Sequence, residues 1–134
     1  MKHLGVIVFG HTREHMLRNV LESLRRQEVA CDVHVWLDGH FGKTQLRPLV
    51  EACHVMVMRD YPEVDLTAMN GHLGIEKLMI DGLSFMATKY EKIIVLEDDC
   101  FPINGAIEEF EKKLDEVGEQ SNVYSVYGHH FLTE

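Results

Sequence analysis

Three consecutive carboxylates, Glu97, Asp98 and Asp99, directly follow the apolar run 93–96. The run is rich in β-branched residues, which favours a strand buried on both faces of a parallel α/β sheet. Because a core does not accept three unpaired charges, we expect the acids to emerge where the strand ends. Closely spaced carboxylates are the ligands that Mg²⁺ or Mn²⁺ uses together with a substrate phosphate. The pattern therefore favours a divalent-cation site over a solvated acidic turn.

The elements that must position these acids alternate between strand and helix. Apolar runs predict strands, and helices are predicted where apolar residues recur at helical spacing. The apolar faces predicted in this way are Leu17, Val20, Leu21 and Leu24 in the first helix, Leu46, Leu49, Val50 and Cys53 in the second, Ile75, Leu78, Met79, Leu83 and Met86 in the third, and Ile107, Phe110, Leu114 and Val117, facing inward, in the last. Thr12 is the predicted cap of the first helix, Pro48 fits the first turn of the second, and Gly118 is the expected stop of the last. The predicted strands are 4–9, 31–37, 54–58, 93–96 and 122–127; the predicted helices are 12–27, 46–53, 73–89 and 104–117, with 59–72 as the longest irregular stretch.

This alternation predicts a single α/β domain over 1–134 with a mostly parallel sheet. Polar residues follow three of the strands, so their side chains are expected at one rim of the sheet, where open α/β sheets bind ligands. Arg13 suits a phosphate, although it also fits a solvated helix N-terminus. Asp38 suits a hydrogen bond from a base or ribose, although it also fits a turn before Gly39. The convergence of the strand ends is more specific than either residue alone.

Composition narrows the class of partner. The formal charge of −9 argues against nucleic acid, because phosphate backbones bind basic surfaces. An acidic protein that handles phosphates needs a divalent cation as mediator. Cys31, Cys53 and Cys100 lack paired metal-ligand spacing, so free thiols in a reducing compartment are expected. With no signal-peptide anatomy and no run of transmembrane length, the expected location is cytoplasmic.

Short motifs occur in an informative order along nearly the whole chain. Together they resemble the nucleotide-binding half of GT-A-fold glycosyltransferases, a Rossmann-like α/β fold for nucleotide-diphospho-sugar transfer. The chain looks closest to the N-acetylglucosaminyltransferase I type, in which Glu-Asp-Asp replaces Asp-x-Asp. The matching residues are Val6-Ile7-Val8-Phe9 followed by Arg13, Leu21-x-x-Leu24, Val33-x-Val35-x-x-Asp38-Gly39, Asn70 and Gly71 leading into a helix with Lys77, Val95-Leu96-Glu97-Asp98-Asp99, and Val123-Tyr124-Ser125-Val126.

The resemblance implies roles for individual residues. Asp99 would be the direct ligand of Mn²⁺ or Mg²⁺ bridging the diphosphate of a nucleotide sugar, with a UDP-sugar favoured. Asp98 and Glu97 would contact the ribose and the donor sugar, and Asp38 would read the uracil edge. The remaining positions implied are Phe9 and His11 lining the nucleoside pocket, Arg13 beside it, and His72 and Lys77 near the base and diphosphate.

Enzymes of this fold continue well beyond the metal motif, in a second half that holds the acceptor. Here residues 100–134 follow Asp99, and one helix and one strand occupy most of them. The sequence therefore predicts a truncated GT-A fold: either a fragment, or a domain that binds its donor and needs further sequence or a partner chain for transfer. Within the chain, the candidates for a base are His129, His130 and Glu134.

Other functions require features that the sequence lacks. A dinucleotide-binding dehydrogenase needs a Gly-x-Gly-x-x-Gly turn after the first strand, and Gly10-His11-Thr12-Arg13 is not one. A sugar nucleotidylyltransferase needs a Gly-rich first loop. The alternative that stays open is a non-catalytic nucleotide- or metal-binding module that docks on a partner chain. Turnover of a sugar donor, against binding without turnover, separates the two.

Overall fold

In a computed structural model, residues 1–40, 42–71, 73–118 and 120 are described, and they form a parallel sheet between two layers of helices. Strand order in this sheet is β3-β2-β1-β4. The predicted α/β architecture with a mostly parallel sheet is confirmed. The elements are β1 (Lys2–Gly10), α1 (Glu14–Arg25), β2 (Asp32–Leu37), α2 (Arg47–Asp60, after a 3-10 turn at Thr44–Leu46), β3 (Asp65–Ala68), α3 (Ile75–Ala87), β4 (Tyr90–Glu97) and α4 (Ala106–Val117).

Alternation along β1 separates two cores. Val6 and Val8 face one side, where α1, α2 and α4 pack, and Ile7 and Phe9 face the other, where α3 packs. Gly82 lets α3 approach the sheet, because a Cβ at this position would lie 2.8 Å from the Phe9 ring. The inward face predicted for the first helix is confirmed, since its apolar residues are buried: Leu17, Val20, Leu21 and Leu24. None of the helices in the described part of the chain is both long and apolar enough to span a bilayer.

The third strand differs from its prediction. Residues 54–58 continue α2, and the third strand of the structure is β3, inside the stretch predicted to be irregular. Cys53, Met56 and Val57 are buried while Val55 and Met58 are exposed, which is a helical pattern rather than a strand alternation. Their β-branched and apolar character suggested a strand, but the packing of one helical face against the sheet decided otherwise.

Strand β4 is covered less completely than predicted. Ile94 and Leu96 are buried against the α1 side, but Val95, on the α3 side, is 42% exposed. Among the described residues β4 pairs with β1 and forms an edge of the sheet. An apolar run alone therefore overestimated its burial. The predicted strand 122–127 lies outside the described residues.

Two predicted helix details are wrong. Helix α1 begins at Glu14 with Arg13 at the cap position, and no side chain there caps the helix, so Thr12 does not have the predicted role. Leu49 and Ile75, which helical spacing placed on the apolar faces of their helices, are 47% and 52% exposed. By contrast, Ile107 of α4 is fully buried as expected, and Gly118 ends that helix.

Candidate functional site

The carboxyl ends of β1, β2 and β4 meet around one cavity of about 500 Å³. The strand register brings the ends together, because Phe9 pairs with Glu97 and Gly10 pairs with Leu37. The predicted convergence of the three strand ends is confirmed. The residues that line the cavity are Phe9, Gly10, His11, Thr12, Arg13, Asp38, Gly74, Ile75, Leu78, Glu97 and Asp98.

Arg13 is directed at the acid cluster. Its Nε donates to Asp98 Oδ2 at 3.2 Å, its Nη2 donates to Asp98 Oδ1, and the same Nη2 lies 4.0 Å from Asp99 Oδ2. The hydrogen bond that Arg13 donates to Asp98 raises the pKa of Arg13, so the guanidinium keeps its charge. Asp98 is only 5% exposed. A two-pronged pair of this kind fixes the orientation of the carboxylate.

Glu97 and Asp99 flank Asp98 in the sequence and come close to each other in the structure. Their carboxylate oxygens and the sulfur of Cys100 all lie within 4.8 Å of one another. The N–H of Cys100 donates to the carbonyl of Glu97 at 3.0 Å, which closes a turn and brings the two acids to the same side. Two carboxylates at this spacing fit a hard divalent cation. The chemistry of the donor set therefore suits Mg²⁺ or Mn²⁺.

Cys100 belongs to this group although the sequence did not indicate it. Its Sγ lies 3.6 Å from Asp99 Oδ1. Burial raises the pKa of the thiol, and the neighbouring Asp99 raises it further. The neutral thiol is therefore the favoured form beside the acids. In the sequence, the one indication that Cys100 belongs to this group is its position next to Asp99.

His11 and Asp38 connect the ends of β1 and β2. The ring Nε2–H of His11 donates to the carbonyl of Gly39 at 2.6 Å, which assigns the proton to Nε2. Asp38 is 4% exposed and accepts hydrogen bonds from the backbone N–H groups of Gly39, Leu73 and Gly74. Both residues therefore face the cavity as parts of a backbone-linked wall.

Lys77 lies apart from the cavity lining. Its side chain is 62% exposed, and its Nζ donates to Asp81 Oδ2 one turn further along α3 at 3.2 Å. His72, implied near the base, lies outside the described residues, as do His129, His130 and Glu134. The lining residues that the sequence reasoning did not assign to the site are Thr12, Gly74, Ile75 and Leu78.

A second cavity of about 490 Å³ lies between α2 and β3. Its lining is mostly apolar, with Val57, Met58, Val64 and Leu66 among its residues. The cavity at the strand ends differs by its carboxylates and its guanidinium, since each cavity has one histidine in its lining. Of these two cavities, the one at the carboxyl edge of the sheet is the one lined by carboxylates, and it is the candidate site.

Comparison with known proteins gives no match to a family model or to a curated protein sequence. Solved structures do match. The structure of S. aureus TarS superposes with a TM-score of 0.63 at 16% identity, over 96% of this chain and 23% of TarS. The fold is GT-A-like.

Two further solved structures have a similar fold. S. aureus TarS 1–349 gives a TM-score of 0.61 at 18% identity, over 95% of this chain and 38% of that one. A 4-diphosphocytidyl-2C-methyl-D-erythritol synthase gives 0.53 at 15% identity, over 90% of this chain and 56% of the synthase. At these identities the likeness is one of fold, and this chain spans between 23% and 56% of the length of these proteins.

Proposed function

We propose that this chain is the donor-binding domain of a metal-dependent glycosyltransferase, which holds a nucleotide-diphosphate sugar in the cavity at the strand ends. The observation that carries the proposal is the arrangement of the three acids. Arg13 forms a two-pronged pair with Asp98 and lies 4.0 Å from Asp99, and the carboxylates of Glu97 and Asp99 lie within 4.8 Å of each other. Two adjacent carboxylates repel each other, and a shared cation relieves that repulsion.

Charge also supports a metal as mediator. Glu97, Asp98 and Asp38 line the cavity, and Arg13 is already engaged with Asp98. Asp99 is not part of the lining, but its carboxylate lies within 4.8 Å of that of Glu97. A diphosphate brought against this surface would meet net negative charge. A divalent cation held by Glu97 and Asp99 would supply positive charge there, and the site would then attract a diphosphate instead of repelling it.

Different residues of the chain would hold the metal, support the acidic turn and contact the base. Glu97 and Asp99 would hold Mn²⁺ or Mg²⁺, which when bound supplies positive charge to the departing diphosphate. The Arg13–Asp98 pair would keep the acid turn rigid. Phe9, with Ile75 and Leu78 from the first turn of α3, gives the cavity an apolar wall suited to a base.

Sugar transfer also needs a base for the acceptor hydroxyl. The sequence-based candidates, His129, His130 and Glu134, lie outside the described residues. We therefore propose that this chain binds the sugar donor by itself. Transfer to an acceptor would require further sequence or a partner chain that supplies the acceptor site. A UDP-sugar is the favoured donor on resemblance.

Calorimetric titration with a panel of nucleotide-sugars, with and without Mn²⁺, tests the proposal. We expect binding of at least one donor that depends on the metal and is lost in a Glu97→Ala/Asp99→Ala double variant. A Glu108→Ala/Glu109→Ala double variant is the matched control, because it removes the same charge from the exposed first turn of α4. Equal donor affinity with and without Mn²⁺, or equal loss in both double variants, would contradict the proposal.

Nucleotidyl transfer is the second candidate. It is favoured by the similarity in fold to a synthase whose name denotes a diphosphocytidyl product. Against it, β1 leads into α1 through only residues 11–13, which are not Gly-rich. Incubation with a nucleoside triphosphate, Mn²⁺ and a sugar phosphate separates the two, because nucleotidyl transfer releases pyrophosphate. Donor binding without turnover of either kind would instead favour the non-catalytic binding module.

A further inference from the structure

Asp38 lies at the carboxyl end of β2 with its carboxylate almost fully buried beside the cavity. One oxygen accepts the N–H groups of Gly39 and Leu73, each at 2.9 Å, and the other accepts the N–H of Gly74 at 3.1 Å. A carboxylate offers about four acceptor positions, so these three bonds use most of them. The side chain therefore binds mainly the backbone of its own chain.

The segment that Asp38 binds is also attached to β2 through the backbone. The N–H of Met69 donates to the carbonyl of Leu37 at 2.9 Å. Two residues on, Gly71 approaches Gly39 so closely that a Cβ on Gly39 would lie 2.5 Å from the Gly71 carbonyl oxygen. Glycine at position 39 is thus required by the close approach of two backbones. Asp38 and Gly39 together hold the chain that leads into α3.

The first turn of α3 forms one wall of the cavity. Gly74, Ile75 and Leu78 all line it, and the N–H of Leu78 donates to the carbonyl of Gly74 at 2.9 Å. Gly74 itself has φ of +85°, a conformation that favours glycine. The body of the helix is held separately, by the contact between Gly82 and the Phe9 ring. Asp38 therefore acts on the first turn rather than on the whole helix.

We propose that Asp38 is a positioning residue, which acts on a bound nucleotide by fixing the first turn of α3 against the strand ends. The proposal rests on the proposed function, since it concerns the same cavity. A buried carboxylate at the start of a helix is also favoured by the helix dipole. The role differs from direct reading of the uracil edge, because the wall it fixes contacts any base.

Asp38→Asn is the main test, since it removes the charge and one acceptor at nearly constant size. We expect amide hydrogen exchange at Leu73 and Gly74 to accelerate by at least about tenfold, the change that corresponds to one lost hydrogen bond. With Mn²⁺ present, affinity for UDP, CDP, ADP and GDP should fall by a common factor of about ten. Affinity for Mn²⁺ alone should not change, because Glu97 and Asp99 are not touched.

Gly39→Ala is a second variant that leaves the carboxylate in place. It displaces the same segment by steric contact with Gly71, so we expect the same uniform loss of nucleotide affinity and the same faster exchange at Leu73 and Gly74. Glu76→Gln is the matched control, because it removes a carboxylate from the exposed first turn of α3. We expect little change in either measurement. Thermal unfolding of each variant establishes that the protein is folded.

The pattern of affinity loss among the four nucleotides separates a positioning role of Asp38 from direct reading of the base. If Asp38→Asn loses UDP affinity alone while Gly39→Ala binds normally, Asp38 reads the base and the positioning role is overturned. Unchanged exchange at Leu73 and Gly74 in Asp38→Asn would overturn it as well. A wild-type protein that binds none of the four nucleotides would contradict the proposed function, an outcome separate from any difference between the variants.

Discussion

Ionisable side chains are paired differently at the two ends of the parallel sheet. At the amino edge, where the strands begin, polar side chains bind one another. Lys2 Nζ and the Tyr90 hydroxyl both donate to Asp32 Oδ2, at 2.8 and 2.9 Å, and the Nε2–H of His34 donates to the Tyr90 oxygen at 2.8 Å. At the carboxyl edge, Arg13 pairs with Asp98 and lies 4.0 Å from Asp99, and Glu97 makes no ion pair within the described part of the chain.

The amino edge is satisfied by groups of the chain itself. The hydrogen bond from Lys2 lowers the pKa of Asp32, and burial raises the pKa of Tyr90. The Tyr90 ring reaches Asp32 across β1 because Gly5 has no side chain, and a Cβ there would lie 2.6 Å from the ring. These hydrogen bonds connect β1, β2 and β4 near the beginning of each strand.

A second cluster of ionisable side chains at the amino edge is also paired by a group of the chain itself. Donor atoms of His3, Glu111 and Asp115 lie within 4.8 Å of one another, a spacing that would suit a metal. However, the ammonium of Lys92 pairs with Asp115 and lies 3.2 Å from His3 Nε2. The chain thus supplies a cation beside these carboxylates, whereas Arg13 is engaged mainly with Asp98 and Glu97 has no ion pair among the described residues. The comparison indicates that unbalanced acids, rather than clustered acids, mark the candidate site.

Asp99→Ala should give the largest effect. We expect metal-dependent UDP binding to fall by more than the roughly 10–100-fold typical of losing a group that only supports a ligand. The free energy of unfolding should stay the same or rise slightly, because repulsion among the acids is relieved. Calorimetry with Mn²⁺ and urea unfolding measure the two. A variant that binds UDP with Mn²⁺ as well as wild type does would remove Asp99 from the metal site.

Tyr90→Phe should have the converse effect at the amino edge. It leaves the buried His34 Nε2–H without its acceptor, so the free energy of unfolding should fall by about 1–3 kcal/mol. Nucleotide binding at the opposite edge should be unchanged. Urea unfolding and calorimetry again give both values. Loss of nucleotide affinity together with stability would show that the two edges are coupled, contrary to the comparison.

His34 should make the amino edge sensitive to pH. Burial lowers the pKa of His34 from its ordinary value of 6.5, although Asp65 opposes the shift. The unfolded chain therefore takes up the proton more readily than the folded one. The contribution of neutral His34 to stability is complete above pH 6.5 and is lost as the pH falls below it, by at most about 1.4 kcal/mol per pH unit.

His34→Gln removes this titration. Comparison of its unfolding free energy with that of wild type between pH 8 and pH 5 measures the contribution. His15→Gln, on the exposed surface of α1, is the control and should leave the pH dependence as it is in wild type. An equal pH dependence in wild type and His34→Gln would contradict the expectation.

Lys77→Ala should give the smallest effect. The pair with Asp81 is exposed, and such pairs contribute at most about 0.5 kcal/mol. Since Lys77 is not part of the cavity lining, UDP affinity should change by less than about twofold, a shift within that same energy. A larger loss of affinity for diphosphate in calorimetry would instead support the contact with the diphosphate that the resemblance implies.

Local pattern was sufficient for much of the fold. The spacing of Leu17, Val20, Leu21 and Leu24 fixed the inward face of α1, and the alternation of strands and helices predicted a parallel sheet with its polar residues at one rim. These features depend on near neighbours in sequence, so a single sequence contains them. The same holds for Glu97, Asp98 and Asp99, which adjacency alone places together.

The tertiary structure decided what depends on partners far away in sequence. Whether 54–58 is helix or strand was settled by which residues packed on the sheet, and β3 formed in a stretch without a strand pattern. Asp98 and Asp99 look alike in sequence, but Arg13, 85 residues away, buries one and leaves the other half exposed. Asp38 likewise meets Leu73 and Gly74 only in the fold, 35 and 36 residues away. The sequence determined which groups reach the rim, and long-range packing determined which of them are free to face a ligand, because a charge is held or exposed by the neighbours that the fold brings to it.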